Sequence, residues 1–160
     1  MKACIITAIF IVFGISLSLH AFPTDTLTVR VLGTAEDARF EPRVIKAQPG
    51  DVVKFVVEEG LHTVTAYHPQ NRRPQRIPEN AVSFDSGMLT EGDIWFLEPK
   101  VEGVYDYFCL PHERMGHAGR LLVGEVKQVP AYPLGRIAPS IIEDLDTETK
   151  LLIDQKSFDL

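Results

Sequence analysis

The sequence predicts an all-β fold: a Greek-key sandwich of seven or eight strands, followed by an irregular or partly helical tail. Three observations lead there. Short apolar stretches alternate with polar residues at a period of two, the spacing of a strand with one face in a core. Turn residues punctuate the chain roughly every ten residues between 26 and 126, as in a sandwich. Long helical stretches do not separate these strands, which argues against a parallel α/β sheet.

The 160-residue chain is long enough for one domain with its own core. It begins Met1-Lys2, continues with an almost unbroken apolar run over 4–19 and reaches a small residue at Ala21. That order of charge, apolar middle and small exit reads as an export signal over 1–21. The run is 16 residues, short for a membrane span, and an uncleaved anchor is the alternative. Cys4 lies too near the start for lipid attachment. The expected division is therefore signal 1–21, β-domain 22–127 and C-terminal extension 128–160.

Within 22–127, Leu27, Val29 and Val31 alternate with Thr28 and Arg30, which predicts a strand over 26–32. Phe40-Glu41-Pro42 reads as a turn into a strand over 43–47, and Gln48-Pro49-Gly50-Asp51 as a turn into one over 51–58. Glu58-Glu59-Gly60 is a further turn, after which His62 opens a strand over 63–68. The polar stretch 69–80, with Arg72, Arg73 and Arg76, reads as a loop far from His62. It is either a solvated turn or a docking patch for an acidic partner. His68, about 20 Å along the strand from His62, reads as a surface residue. Residues 83–87 are short and irregular, and strands are expected over 93–97, 101–109 and 119–126. In the 101–109 strand Tyr105, Tyr107 and Cys109 share a face, while Asp106 and Phe108 share the other. Phe108 is thus expected to point away from the core and line a second contact surface.

The extension carries Pro130, Pro133 and Pro139, then Ser140-Ile141-Ile142-Glu143, a capping-box pattern. Ile141, Leu145 and Leu152 fall near one helical face. An extended arm with a short helix is one reading, a disordered acidic tail the other. Without 1–21 the chain has 15 basic and 22 acidic residues, a balance that argues against nucleic acid as a partner.

The chemistry is concentrated in the stretch 105–117. Cys109, His112, Met115 and His117 lie within nine residues. Cys109 is the one cysteine outside the signal, so in an exported chain its thiol lacks an intramolecular disulfide partner. A thiolate beside imidazoles is ligand chemistry for copper or zinc. Taken singly, a buried Cys is usually a small hydrophobe and a His at a strand start is usually structural. Together they read differently: Cys109 ends a strand, His112 follows at C-x2-H spacing, and Pro111 turns the chain between them. In a sandwich the start of the His62 strand meets the end of a neighbouring antiparallel strand at one pole. His62, Cys109 and His112 can therefore converge there, and two His, one Cys and a weak axial donor is the blue-copper arrangement.

Phe40-Glu41-Pro42, Gln48-Pro49-Gly50-Asp51, His62-Thr63-Val64, the aromatic strand into Cys109-Leu110-Pro111-His112, and Met115-Gly116-His117-Ala118-Gly119 together carry a resemblance. Over about 26–126 the chain resembles the cupredoxins, the type 1 blue-copper family that includes plastocyanin, pseudoazurin, amicyanin and halocyanin-like proteins. The resemblance implies one copper ion, cycling between Cu(I) and Cu(II), with His62, Cys109 and His112 as equatorial ligands. The axial ligand falls on His117, which stands where most plastocyanin-like members have Met; Met115, at the amicyanin spacing, is the alternative. A second departure is Thr63, where an Asn commonly ties the two ligand loops together, so that clamp must be weaker or replaced. The resemblance further implies a monomeric one-electron carrier rather than an enzyme, exported to the periplasm or beyond, with transient redox-protein partners and no membrane insertion of the mature domain. Leu110, Pro111 and Met88 would form an apolar docking rim around His112. A copper delivery or resistance protein, and a small copper enzyme reacting with nitrogen oxides, are the alternatives.

Overall fold

The computed structural model describes residues 24–155; the segment read as an export signal lies outside the described residues. Two four-stranded sheets face each other. The first has β1 (Thr26–Leu32) and β4 (Val52–Val57) side by side and parallel, with β2 (Arg39–Glu41) and β8 (Ile94–Leu97) antiparallel at its edges. The second runs β3 (Val44–Ala47), β10 (Ala118–Val123), β9 (Gly103–Phe108), β6 (Thr65–Ala66); β3 is parallel to β10 and the other pairs are antiparallel. A small ribbon of β5 (Leu61–His62) and β7 (Leu89–Thr90) closes one end. A helix, α1 (Pro139–Gln155), follows the sandwich. No helix among the described residues is long and apolar enough to cross a membrane.

The period-two pattern is realised as expected. Val29 and Val31 of β1 and Val53, Phe55 and Val57 of β4 point inward and are buried. They meet Tyr105, Tyr107, Leu121 and Val123 of the second sheet. Burying each such side chain contributes roughly 1.5–3 kcal/mol.

Two stretches differ from the sequence reading. Phe40 and Glu41, read as part of a turn, lie instead in β2, which pairs with β1 before Pro42. The strand expected over 63–68 is broken, and His62 lies inside β5 rather than ahead of a strand. The cause is local. The Thr63 amide donates to Cys109 Sγ and the Val64 amide to Ser86 Oγ, so neither joins a strand ladder.

The outer face of the second sheet is a second core rather than a solvated surface. Val104, Phe108 and Leu122 are buried there, covered by residues 126–137 and by α1. Phe108 does point away from the first core, but it packs against Tyr67, with ring centroids 4.6 Å apart, instead of lining a contact surface. The helix begins at Pro139, whose fixed φ suits a first helical position. Leu145 is its buried anchor, with Ile141, Ile142 and Leu152 packed beside it. The Lys46 ammonium donates to the Leu152 carbonyl near the helix C-terminus, where positive charge is favoured.

Buried charges tie this layer together. The Asp106 carboxylate accepts from Arg76 at 2.6 and 2.9 Å and from Arg120 at 2.6 and 3.1 Å. Arg120 continues to Asp146 and Thr149 of α1, and Arg76 to the Pro133 carbonyl. Arg76 is thus 1 % exposed, not part of a solvated turn or a docking patch. Such a network is tolerable in a low-dielectric layer because every member has a partner. If the helix is seated on this face, Leu145→Ala should lower the unfolding free energy by about 2–5 kcal/mol, read as a lower denaturation midpoint at unchanged slope. An unchanged midpoint would mean that the side chain is not part of a packed layer.

Candidate metal centre

At the end of the sandwich capped by the β5–β7 ribbon, four donors come together. His62 comes from β5, Cys109 lies just past β9, and His112 and His117 sit in the connection to β10. One donor atom from each lies within 4.8 Å of the others. Cys109 Sγ is 3.6 Å from His62 Nδ1 and 3.4 Å from His112 Nδ1. All four residues named from the sequence are therefore in one cluster.

Backbone hydrogen bonds set this geometry. The Cys109 amide donates to the His117 carbonyl at 3.0 Å, one step beyond the β9–β10 ladder, so these two residues are held opposite each other. Between them the chain makes a tight turn: the His112 amide donates to the Cys109 carbonyl, and the Met115 and His117 amides donate to the His112 carbonyl. His62 is oriented by its far nitrogen. Nε2 lies 2.7 Å from the Glu59 carbonyl and 3.0 Å from the Gly33 carbonyl. Carbonyls only accept, so the ring proton is on Nε2 and Nδ1 keeps its lone pair toward Cys109.

Thr63 takes over the role usual for an amide side chain. Its hydroxyl accepts from the Leu110 amide at 2.8 Å and bonds Thr65, which donates to Asp85. The loop carrying His62 and the loop carrying His112 are thereby joined; of the weaker or replaced clamp expected, this is a replacement.

His117 has the most unusual environment. It is fully buried, its ring packs 4.0 Å from that of Phe40, and neither nitrogen has a hydrogen-bond partner. Buried polar atoms without partners are rare and call for an explanation. Burial, then the neighbouring His62 and His112, push its pKa down to about 2, so the imidazole is neutral and its lone pair is free. Burial and then His62 also lower that of His112. Burial raises the Cys109 thiol, against the pull of its hydrogen bond from the Thr63 amide. The metal-free thiol therefore holds its proton until a cation displaces it. A neutral, partnerless imidazole facing a thiol and two more imidazoles fits a soft or borderline metal ion.

Met115 is 50 % exposed on the turn, whereas His117 is 0 % exposed among the donors. Leu61, Met88 and Leu110 are exposed beside His62, its ribbon partner strand and Cys109. His68 stays apart; its Nδ1 accepts from the Gln70 amide and caps a short turn. One contact was not expected. Arg73, read as part of a loop far from the site, forms a two-pronged ion pair with Glu113, the residue after His112.

Residues 27–124 match the family model for copper binding proteins of the plastocyanin/azurin family. The chain belongs to the plastocyanin/azurin family. Copper is therefore its cofactor, and the four clustered donors are the candidate site for it. A pseudoazurin of Paracoccus pantotrophus is 31% identical over 110 residues, covering 68% of this chain and 70% of that protein. A plastocyanin of Prochlorothrix hollandica is 27% identical over 124 residues, covering 76% and 91%. Among solved structures, a pseudoazurin from Sinorhizobium meliltoi superposes with a TM-score of 0.61 at 30% identity, covering 79% of this chain and 97% of the other.

Gly60 offers a test of the His62 setting. It has a φ of +90°, and a Cβ there would lie 2.6 Å from the Gly33 oxygen and 2.7 Å from His62 Nε2. Gly60→Ala should therefore turn the His62 ring and weaken copper binding by about 10-fold or more, measured by chelator competition. Unchanged affinity would show that the Gly33 and Glu59 carbonyls do not set the ring.

Proposed function

We propose that the protein is a one-electron carrier whose copper is held by His62, Cys109, His112 and His117. The observation that carries this reading is the buried, partnerless His117 ring facing Cys109, His62 and His112. Copper bound there supplies a Cu(I)/Cu(II) couple. The protein's part is to hold the donors still, so that few atoms move when the charge changes. His62 is fixed by two carbonyls, Cys109 and His117 by a shared ladder bond, and His112 by its turn.

His112 is the donor that is not fully buried. Its ring edge, with Leu110, Pro111 and Met88 around it, is the port to redox partners. Such contacts are small and short-lived. Full burial of the other three donors weighs against a delivery protein, whose ion must pass to a recipient. A fourth donor in place weighs against a small copper enzyme reacting with nitrogen oxides, which needs an open position. The export signal read over 1–21 and the family resemblance favour the periplasm or the extracellular space, with the domain acting as a monomer.

A reversible one-electron wave in voltammetry of the copper-loaded protein, with an intense sulfur-to-copper absorption band, is the expected result. Cys109→Ala should fold and lose that band; a retained band would remove Cys109 from the ligand set. Imidazole is a harder donor than a thioether and favours Cu(II). His117→Met should therefore raise the potential and move the spectrum toward a blue-copper pattern, while Met115→Leu changes little. A shift with Met115→Leu and none with His117→Met would make Met115 the fourth ligand.

A further inference from the structure

Two of the four donors, His112 and His117, lie in one connection outside the sheets. They flank a single turn, Glu113–Met115, in the connection between β9 and β10. The neighbours in that turn, Arg114 and Met115, are exposed. Glu113 instead points inward and is 3% exposed. Its carboxylate accepts from Arg73 Nε at 2.9 and 3.0 Å and from Arg73 Nη2 at 2.6 Å. The Arg73 side chain is itself only 7% exposed.

The same guanidinium lies 4.9 Å from the centre of the Phe108 ring. One side chain therefore touches the residue after His112 and the residue before Cys109. Arg73 is in turn well anchored. Its amide donates to the His68 carbonyl, and Asn71 beside it donates to the Ala66 and Phe84 carbonyls. The stretch is thus tied to the sheet whose strand β9 leads into Cys109.

We infer that Arg73 is a positioning residue for the metal centre: its fork on Glu113, seated over Phe108, sets where the His112–His117 turn lies relative to Cys109. A two-pronged pair fixes orientation as well as distance, which a single point charge does not. Its burial adds rigidity, because a carboxylate that leaves the fork becomes an unpaired buried charge. Thr63 ties the His62 loop to Leu110, on the near side of Cys109. The Arg73–Glu113 pair does the same for the far side of the turn.

This inference rests on the proposed ligand set. It is tested on the copper-loaded protein and its Arg73→Met, Arg73→Lys, Glu113→Gln and Arg76→Met variants. Three quantities are read: the sulfur-to-copper band pattern, the copper hyperfine splitting in EPR, and copper affinity by chelator competition, each beside the thermal midpoint. Arg73→Met and Glu113→Gln should alter both spectra and weaken affinity about 10-fold, as loss of a ligand-supporting group does. Arg73→Lys, which keeps the charge and loses the fork, should fall between them and the wild type. Arg76→Met breaks a buried pair on the outer face; it should lower the thermal midpoint and leave the spectra alone. Unchanged spectra and affinity in Arg73→Met and Glu113→Gln would overturn the inference, and so would equal spectral changes in Arg76→Met. If Arg73→Met does not fold, Glu113→Gln and Arg73→Lys decide the matter in the same way. Absence of the band from the wild type would defeat the ligand set and this inference together. A band that Cys109→Ala removes and the Arg73 variants leave intact would defeat this inference alone.

Discussion

The protein gathers three imidazoles and a thiol at one pole and lets one of them, His117, bury both ring nitrogens without a partner. Each unsatisfied buried polar group costs on the order of 1–3 kcal/mol. The chain holds that arrangement because the surrounding bonds leave these donors no other place. Cys109 and His117 are locked across the β9–β10 ladder, and His62 is turned by the Glu59 and Gly33 carbonyls. A copper ion held there would take up the lone pairs that the fold leaves free.

The scaffold behind the site is thicker than a bare sandwich. The arm and α1 turn the outer face of the second sheet into another core, centred on Phe108, Leu122 and Leu145. Asp106, shared by Arg76 and Arg120, joins this layer to β9, the strand that leads into Cys109. The helix also reaches the ligand turn: a Cβ on Gly116 would come within 2.9 Å of Ile141. The extension holds no donor of the cluster, yet it backs the turn that holds two of them.

The sandwich and three of the four clustered side chains, Cys109, His112 and His117, were legible in the sequence because their signals are local, whereas His62, 47 residues from Cys109, was read from sandwich topology and the family resemblance. Period-two alternation marks strands such as β1 and β4, and a thiol and imidazoles within nine residues mark metal chemistry. What was hidden depends on partners distant in the chain. Arg73 and Glu113 are 40 residues apart, and Arg76 and Asp106 are 30 apart. Arginines in a polar, proline-containing loop look solvated until their carboxylates are placed. Asp106 occupies the solvent side of an alternating strand, and only the packed extension makes that side an interior. β7 is two residues long and carries too little pattern to be seen, and the break after His62 reflects amides taken by Cys109 and Ser86.

The most direct measurement is a crystal structure of the copper-loaded protein, with the ion located by anomalous scattering at the copper edge. One peak should lie within bonding distance of Cys109 Sγ, the Nδ1 atoms of His62 and His112, and a His117 ring nitrogen, with the Met115 sulfur outside. A peak bonded to the Met115 sulfur with His117 turned away, or a peak away from these four residues, would contradict the four-donor site.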